Sequence, residues 1–509
     1  MAMPHRRRGT ALLMMDVVED KSVELLRRPR QSIPVVVKPR VAFYPPQHST
    51  TNRFLQGVVR GFPSQADLRQ NLKALRSIMT RPSRIVVLLT SVWFIATAAL
   101  GARLAFAWDQ QRKIPHQVLA TVPFDQEAGN TAFALSQGKG FSNLFRQNTG
   151  PTAWLPPLYP SLLSIIFRIF GAFTFHSFLA AVLLNALFSA AVTFPLFSFA
   201  QRIAGRHVAV ASAWLWVFLP AGMIMPFEWI WDTSLSVLLA TTLLWLTLRV
   251  AQSPKLWLWL TYGALWGVTV LTNPSLGIVL PFLLFWAVRR ARTQVTVSWR
   301  APAFACALII FSCLPWTVRN YATFHHVIPI RSSLPFELWI GNNDIFDEHA
   351  IGGLRRITRF EETRHYSQVG ENAYLAEKSR LANSFIQQKP SLFLRLTARR
   401  IVATWTGTEH PFVDFLHADS LLVRIIIVCN LVLSLGMFLG IVLLARSKSP
   451  FAFPMAVFPL LYPLIYYVTH TSLRYRHPID PLLVFLTVFA VAALFFRCHG
   501  SVSGISPAS

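Results

Sequence analysis

The chain has 509 residues, of which 53% are hydrophobic and only 14% are charged. This composition excludes an ordinary water-soluble domain and is typical of a polytopic membrane protein. The formal net charge of +26 would suggest nucleic acid as a partner of a soluble protein. In a membrane protein it instead raises the question of which side of the bilayer carries Lys and Arg, and we expect no nucleic-acid partner.

Residues 1–84 contain 16 Lys or Arg against 5 Asp or Glu and show no sustained apolar period. This pattern predicts a disordered basic tail in the cytoplasm. An alternative interpretation places the true start at Met79, directly before the first span. The short apolar run at residues 11–15 ends in acids and does not fit a signal peptide.

The first predicted span covers residues 85–107 and follows a basic segment, so its start is expected in the cytoplasm and the loop 108–176 outside. Residues 158–171 are too short to span and predict a helix on the outer interface. Nine further apolar runs then make ten spans in total. These runs are 177–200, 207–224, 231–249, 256–272, 275–288, 301–318, 421–444, 451–469 and 478–497.

With these spans, every short inner connection is basic. The inner residues are Arg202, Arg206, Arg249, Lys255, Arg289, Arg290, Arg292, Arg300, Arg446, Lys448 and Arg497. The charge bias predicts a multi-pass protein of a bacterial inner membrane with both termini in the cytoplasm. The sequence is thus divided into an N-terminal transmembrane module (85–318), a large outer loop (319–420), C-terminal transmembrane helices (421–497) and a short cytoplasmic tail (498–509).

Within the large outer loop, a polar helical pattern covers residues 371–388, Pro390 breaks it, and an amphipathic run follows at 391–405. The four cysteines all lie in or at the end of apolar runs, so no disulfide framework or metal cluster is expected. They are Cys306, Cys313, Cys429 and Cys498.

Arginines at the outer ends of spans are exceptions to the charge bias and need a reason. Arg319, Arg474 and Arg476 are of this kind. A lipid phosphate at the outer surface would supply a reason, because guanidinium offers a planar fork of donors to phosphate oxygens. Ordinary anchoring to lipid headgroups is the alternative.

Carboxylates on the same side form the complementary set. Asp125 and Glu127 lie in the first outer loop, and Glu228 and Asp232 precede the fourth span. The last two are four residues apart and would share one face of a helix. Asp232 is a site candidate because an acid at the edge of an apolar span is costly, although capping of the helix would also explain it.

Acids and arginines at one interface fit a transferase that uses a lipid-phosphate donor. One carboxylate takes the proton of an acceptor hydroxyl, the hydroxyl attacks the anomeric carbon, and arginine stabilises the leaving phosphate. No cofactor is expected. Asp125, Glu127 and Asp232 could share a divalent metal ion, but no spacing demands it and we predict no metal site.

The order of its sequence segments along the chain resembles that of the polytopic GT-C type glycosyltransferases of family 39. This family includes the dolichyl-phosphate-mannose protein mannosyltransferases and the aminoarabinose transferases. The resemblance covers residues 85–497. The segments that carry it are Ala-Leu-Ser-Gln-Gly-Lys-Gly-Phe (134–141), Pro-Pro-Leu-Tyr-Pro (156–160), Phe-Arg-Ile-Phe-Gly (167–171), Ala-Gln-Arg-Ile-Ala-Gly-Arg (200–206), Leu-Thr-Asn-Pro (271–274), Pro-Trp-Thr-Val-Arg-Asn-Tyr (315–321) and Arg-Tyr-Arg-His-Pro (474–478).

The resemblance implies an all-α integral membrane fold, a GT-C-like bundle of about ten helices with an outer interfacial helix and one large outer loop. It also implies a first-loop carboxylate as catalytic base and a polyprenyl-phosphate sugar as donor. The usual Asp-Glu pair followed by Tyr is replaced here by Asp125-Gln126-Glu127. Glu127 heads a pattern found in one bacterial branch and is the favoured base, with Asp125 as the alternative.

Other roles are carried over by position only. Asp232, with Glu228, would hold the donor sugar or the acceptor, whose hydroxyl could belong to a protein, lipid or glycan. The lipid-phosphate role falls on Arg319, Arg474, Arg476 and His477.

Two other functions compete with this hypothesis. A transporter or lipid flippase would need polar groups near the bilayer midplane, where the spans offer little beyond Asn185, Asn273 and Asn430. A glycan polymerase or ligase with a diphosphate-linked lipid would rely on arginines and tolerate loss of the first-loop acids.

Overall fold

A computed structural model describes residues 84–145, 148–295, 297–344, 356–408, 410–418 and 420–498, with side chains for all except 356–360 and 496–498. The predicted basic tail up to residue 83 and the C-terminal tail from residue 499 lie outside these ranges. Within them the chain is mostly helical, with one isolated bridge between Ser142 and Pro151 and no strand. The all-α prediction is therefore confirmed for the described chain.

Eleven α-helices and two 3-10 turns make up the first part of the described chain. The α-helices are α1 (Arg84–Leu89), α2 (Val92–Gln111), α3 (His116–Thr121), α4 (Glu127–Ser136), α5 (Leu158–Phe170), α6 (Phe175–Ala191), α7 (Thr193–Phe218), α8 (Pro220–Glu228), α9 (Thr233–Val250), α10 (Leu256–Val270) and α11 (Leu280–Gln294). The 3-10 turns are Val122–Phe124 and Pro274–Val279.

Eleven more α-helices follow in the described part of the chain. They are α12 (Arg300–Phe324), α13 (Leu334–Gly341), α14 (Arg356–Val369), α15 (Glu371–Gln388), α16 (Pro390–Thr406), α17 (Pro411–His417), α18 (Leu421–Arg446), α19 (Ala452–Leu461), α20 (Leu464–Val468), α21 (Leu473–Arg476) and α22 (Asp480–Cys498). A third 3-10 turn, His477–Ile479, joins the last two. The helices α15 and α16 match the two patterns predicted in the outer loop.

In the described chain, seven helical stretches are long and apolar enough to cross a membrane by length and composition, as expected for a multi-pass membrane protein. Two predicted spans, 256–272 and 451–469, fall on shorter apolar helices, and two others share the 44-residue stretch Phe175–Phe218. The first spanning helix begins at Val92 instead of residue 85, after a break that follows α1. The predicted total of ten spans stays a prediction.

A sharp reversal divides α7 at Gly205, whose φ of +85° is a conformation open to glycine but costly for other residues. Contacts between aromatic rings show that the two halves of α7 lie side by side against α2. Trp93 lies 4.7 Å from Phe194 and the adjacent Phe94 lies 6.2 Å from Trp214. Residues 20 apart on a straight helix would be about 30 Å apart, so the chain folds back on itself at Gly205.

Small residues let the apolar helices pack closely. A Cβ on Gly263 of α10 would come within 2.5 Å of the Ala305 carbonyl oxygen of α12, and a Cβ on Gly440 of α18 would overlap the Leu486 carbonyl of α22. Close backbone approach of this kind is the usual way in which helices associate in a membrane. The packing fixes the ends of the helices, where the connecting segments build the site.

Candidate active site

A cavity of about 230 Å³ opens at one end of the bundle. Five segments form its wall: the loop 108–176 predicted as the first outer loop, the link between α8 and α9, the turn after α10, α13 with the residues before it, and the segment from α20 to α21. Apart from the tryptophans and tyrosines, the polar and charged side chains in this wall are Gln126, Glu127, Asp232, Thr233, Thr272, Asn273, Ser275, Arg331, Glu337, Thr469, His470 and Arg474.

Glu127 is the first residue of α4, and its half-buried carboxylate faces the cavity. The helix starts here because Gln126 is extended, with φ −137° and ψ 170°. Gly129 fixes the position of this helix, since a Cβ there would overlap the backbone carbonyl of Phe124. Asp125, the alternative base, is exposed at the end of the preceding 3-10 turn and is outside the cavity wall.

Asp232 and Glu228 do not share a helical face, which corrects the expectation drawn from their spacing. The helix α8 ends at Glu228, and α9 begins only at Thr233. The four residues between them, 229–232, are outside both helices, so Asp232 turns into the cavity whereas Glu228 is not in its wall. Burial raises the pKa of Glu228 to about 7.

Asp232 occupies the N-cap position of α9 but makes no capping bond with its side chain. Its carboxylate instead accepts a hydrogen bond of 2.9 Å from the Ser236 hydroxyl, which in turn accepts one of 3.3 Å from the Asn273 amide. Burial raises the pKa of Asp232, an effect opposed by this hydrogen bond and by the charges of Arg474 and Arg331. The capping interpretation is therefore wrong, and the acid belongs to the cavity.

Arg474 lies in the cavity wall, and three aromatic rings surround its guanidinium. Its guanidinium carbon lies 4.4 Å from the ring centre of Trp229, 5.0 Å from that of Trp231 and 4.7 Å from that of Tyr475. Guanidinium stacks well on aromatic faces, and such contacts hold its plane in one orientation. The Trp229 and Trp231 rings come from the same link that carries Asp232.

A chain of polar contacts runs from Arg474 across the wall. Its Nη2 donates a hydrogen bond of 2.8 Å to the Tyr475 hydroxyl, which lies 2.9 Å from Nε2 of His470. Nδ1 of His470 lies 3.5 Å from one oxygen of Glu337, and the other oxygen lies 3.5 Å from Nη2 of Arg331. Burial lowers the pKa of His470, so the neutral ring is favoured.

Arg331 and Glu337 were missed by the sequence analysis. Arg331 stands in the short link between α12 and α13, after Val-Ile-Pro-Ile, where nothing in the pattern marks it. Glu337 did carry a signal, because it is the only charged residue in the otherwise apolar helix Leu334–Gly341, and an acid in such surroundings requires partners. His470 and Tyr475 lie in the outer turn that the sequence had singled out for its arginines.

The helix α13, which carries Glu337, is fixed against the segment that carries His470. A Cβ on Gly341 would overlap the carbonyl of Thr469, so only glycine permits this approach. The buried Arg400 donates to the carbonyls of Gly341, Tyr467 and Val468. These contacts hold two walls of the cavity together.

Glu371, at the start of α15, joins the first outer loop to the segment before α13. Its carboxylate accepts hydrogen bonds from the Thr152 hydroxyl at 2.5 Å, the Ala153 nitrogen at 2.9 Å and the Ser332 hydroxyl at 2.7 Å. The Tyr366 hydroxyl donates a fourth at 2.8 Å. Glu371 thereby fixes the residues next to Trp154 and Arg331, both in the cavity wall.

The other three residues expected to bind phosphate are outside the cavity wall. Arg319 donates hydrogen bonds of 2.8 Å to the carbonyls of Thr152 and Phe141 and so attaches the first outer loop to α12. Arg476 and His477 are buried, and both contact Asp480, at 3.0 Å and 2.8 Å. Of the eight candidate residues, the structure brings Glu127, Asp232 and Arg474 together.

Arg476 is fully engaged within the protein. Its remaining guanidinium bonds go to the Asn430 side chain at 2.6 Å and to the carbonyls of Thr404 and Trp405. His477 stacks on Trp216 with ring centres 5.7 Å apart. Arg476 thus joins α16, α18 and α22, and the lipid-phosphate role of both residues stays a prediction. In the described chain, no group of three His, Cys, Asp or Glu has the placement of a metal site.

Part of the chain matches a known protein family. Residues 155–316 match the family model described as dolichyl-phosphate-mannose-protein mannosyltransferase. For that segment, which includes Asp232, Asn273 and the cavity-wall residues 155 and 156, the resemblance inferred from the sequence is confirmed. No curated protein is similar enough in sequence to count as a match.

Solved structures show only distant likeness. An Archaeoglobus fulgidus oligosaccharyltransferase, solved with Zn and sulfate, is 12% identical with a TM-score of 0.46, covering 81% of this chain and 50% of that one. ArnT from Cupriavidus metallidurans, bound to undecaprenyl phosphate, is 14% identical with a TM-score of 0.32, covering 77% of this chain and 79% of that one. The chain thus spans about half of the archaeal protein.

Proposed function

We propose that this chain is a membrane glycosyltransferase that transfers a sugar from a polyprenyl-phosphate donor to a hydroxyl acceptor. The observation that carries the proposal is that the Glu127 carboxylate and the guanidiniums of Arg331 and Arg474 open on one cavity. The match of residues 155–316 to a family named for the use of a lipid-phosphate sugar supports it.

Glu127 is the proposed general base. Its carboxylate makes no hydrogen bond or ion pair with the described residues, so its oxygens are available to an incoming hydroxyl. Glu127 accepts the acceptor's proton while the hydroxyl oxygen bonds to the anomeric carbon of the donor sugar. The bond between that carbon and the phosphate oxygen breaks, and the lipid phosphate leaves with the electron pair.

Arg474 and Arg331 are the proposed partners of the phosphate. A leaving phosphate needs charge stabilisation instead of a proton, and preorganised guanidiniums supply it at no reorganisation cost. The aromatic rings of Trp229 and Trp231 hold Arg474 before the donor arrives. Asp232 and Asn273 would then contact sugar hydroxyls, since both carry acceptors and both lie in the wall.

The cavity volume favours a small donor group. Typical ligand pockets measure ~300–1,000 Å³, and this one measures about 230 Å³. A single sugar with its phosphate fits such a volume better than an oligosaccharide. The rings of Trp154 and Phe336, 4.7 Å apart in the wall, offer apolar surface to the sugar faces.

The charge distribution supports an outward-facing site. Asp232 precedes α9 at the cavity, whereas Arg249 lies in the last turn of the same 18-residue helix. That length is about 27 Å at 1.5 Å per residue, close to the thickness of the hydrocarbon core. Because basic residues favour the cytoplasmic side, the cavity would face the periplasm.

The test is transfer of label from radiolabelled polyprenyl-phosphate sugars to membrane extracts containing the full chain. We expect Glu127→Gln to reduce transfer by a factor of 100 or more, on the order of general-base contributions, and Asp125→Asn to retain it. If Asp125→Asn abolishes transfer and Glu127→Gln does not, the base is Asp125. If both variants transfer label as well as the wild type, the mechanism is refuted. A glycan ligase that relies on arginines would then gain support.

A further inference from the structure

Three arginines gather at the end of the bundle away from the cavity. Arg202 lies in α7 just before the reversal at Gly205, Arg249 in the last turn of α9, and Arg290 in the second half of α11. The helix α9 packs against both α7 and α11. The three side chains therefore belong to one neighbourhood, although they are far apart in the sequence.

Arg202 lies close enough to the other two arginines to be repelled by both. The positive charges of Arg249 and Arg290 both act on Arg202. The sequence has no Asp or Glu between Glu127 and Glu228, or between Asp232 and Glu337. All three arginines lie in these two acid-free stretches, so their own helices supply no carboxylate to balance them.

The donors of the cluster also lack acceptors. None of the three guanidiniums makes a hydrogen bond or ion pair with a described residue, and Nε of Arg290 is buried with no partner there. Buried donors of this kind are normally satisfied, because an unpaired one costs free energy. Two of the guanidiniums contact aromatic rings, Arg249 at 5.8 Å from the ring centre of Trp245 and Arg290 at 6.0 Å from that of Phe451.

We propose that Arg202, Arg249 and Arg290 form a binding site for a phosphate group, supplied by the headgroup of an anionic phospholipid in the leaflet at that end. A phosphate accepts several guanidinium forks at once and neutralises their repulsion. Basic pockets between membrane helices are suited to such headgroups. The Trp245 and Phe451 rings would adjoin the upper part of the acyl chains, where aromatic side chains are favoured.

Ordinary solvated surface arginines are the competing explanation, and the chain offers a matched control. Arg289, Arg292 and Arg300 are exposed residues of the same region. Replacing them with Gln removes the same charge as replacing the cluster. If anionic lipid is attracted only by the overall positive charge, both triple variants should bind it equally weakly. If the three arginines form a specific site, only their own replacement should weaken binding.

The experiment uses the delipidated full chain in detergent, with dioleoyl-phosphatidylglycerol, dioleoyl-phosphatidylcholine or inorganic phosphate added. The readouts are the lipid retained in native mass spectra and the shift of the melting temperature. We expect phosphatidylglycerol to bind and to raise the melting temperature by several degrees, and phosphatidylcholine to have little effect. The shift should vanish in R202Q/R249Q/R290Q and persist in R289Q/R292Q/R300Q.

Several results would overturn the proposal. These are equal effects of the two lipids on the wild type, equal losses in the two triple variants, or an unchanged shift in the cluster variant. Inorganic phosphate that matches phosphatidylglycerol would overturn the lipid as the source. Should the triple variant fold poorly, Arg290→Lys keeps the charge but not the fork. It should reduce the phosphatidylglycerol shift, and an undiminished shift there would count against the site.

Discussion

The backbone nitrogen of Ala153 donates a hydrogen bond of 2.9 Å to Glu371, a residue 218 positions away along the chain. The same carboxylate binds Thr152 and Ser332, so one charged group ties the first outer loop to the segment that presents Arg331. The backbone contributes as well, since the Ser332 nitrogen donates a hydrogen bond of 2.9 Å to the Ala153 carbonyl. The geometry of the cavity then depends on a residue outside it.

We therefore expect Glu371→Gln to lower the stability of the protein by about 1.5–3 kcal/mol, the usual value for hydrogen bonds to a charged group. In the variant, the NH2 group of the new side-chain amide would face one of the donors whose hydrogen bond the Glu371 carboxylate accepts. Thermal unfolding in detergent measures the change. Glu361→Gln, at an exposed position of α14, is the control and should leave the melting temperature unchanged.

The contact of Gly129 with Phe124 predicts a second effect. In Gly129→Ala the new Cβ would overlap the Phe124 carbonyl, so the start of α4 must shift and carry Glu127 with it. We expect sugar transfer to fall at least tenfold while the protein remains folded, because displacement of a catalytic group by about 1 Å can cost ~100-fold in rate.

The matching control for that variant is Gly101→Ala. Gly101 is an exposed residue of α2, and its Cβ would meet nothing within 4 Å. Alanine there should be neutral or slightly stabilising, by up to about 1 kcal/mol. Loss of transfer in both variants would show that the effect is not specific to the α4 contact.

Arg474 and Arg319 make different predictions although both end a span. Arg474→Lys keeps the charge but loses the planar stack on Trp229 and Trp231. We expect KM for the donor to rise several-fold with little change in melting temperature. Arg319→Lys loses two hydrogen bonds to the first outer loop, so it should lower the melting temperature. Steady-state kinetics and thermal unfolding on both variants separate the two roles.

The raised pKa of Glu228 predicts a pH-dependent stability. The folded pKa of about 7 exceeds the unfolded value of about 4.3, so between these values the folded state binds a proton that the unfolded state lacks. Stability from this group should therefore fall as pH rises from about 4.3 to 7. Glu228→Gln should flatten that part of the profile and raise the melting temperature at pH 8, measured against Glu361→Gln.

The sequence predicted the helical class, the position of the apolar helices and the two helices of the outer loop because each depends on local patterns. Apolar run length marks the spans, and periodicity with a proline break marks α15 and α16. The separation of Glu228 from Asp232 was not predicted. A spacing of four suggests a shared face only if the helix is continuous, and the break at 229–232 depends on how α8 and α9 pack.

The different contacts of the arginines could not be predicted from the sequence either. Arg319, Arg474 and Arg476 all occupy span ends with similar neighbours in sequence, yet one holds a loop, one faces the cavity and one is buried against Asp480. Arg103 shows the same limit. It lies 1% exposed in the middle of α2, where it donates to the Ser189 hydroxyl at 2.8 Å. Only tertiary contacts distinguish these roles.

The glycine contact between α13 and Thr469 restricts how the cavity changes shape. With no side chain between them and Arg400 bound to both, the walls that carry Glu337 and His470 move as one body. If the proposed donor needs a wider entrance, the link 229–232 with its two tryptophans, which is outside both neighbouring helices, is the side that could supply it. Arg474 stacks on those rings, so a displacement of the link would carry the guanidinium with it and leave the stacked arrangement intact.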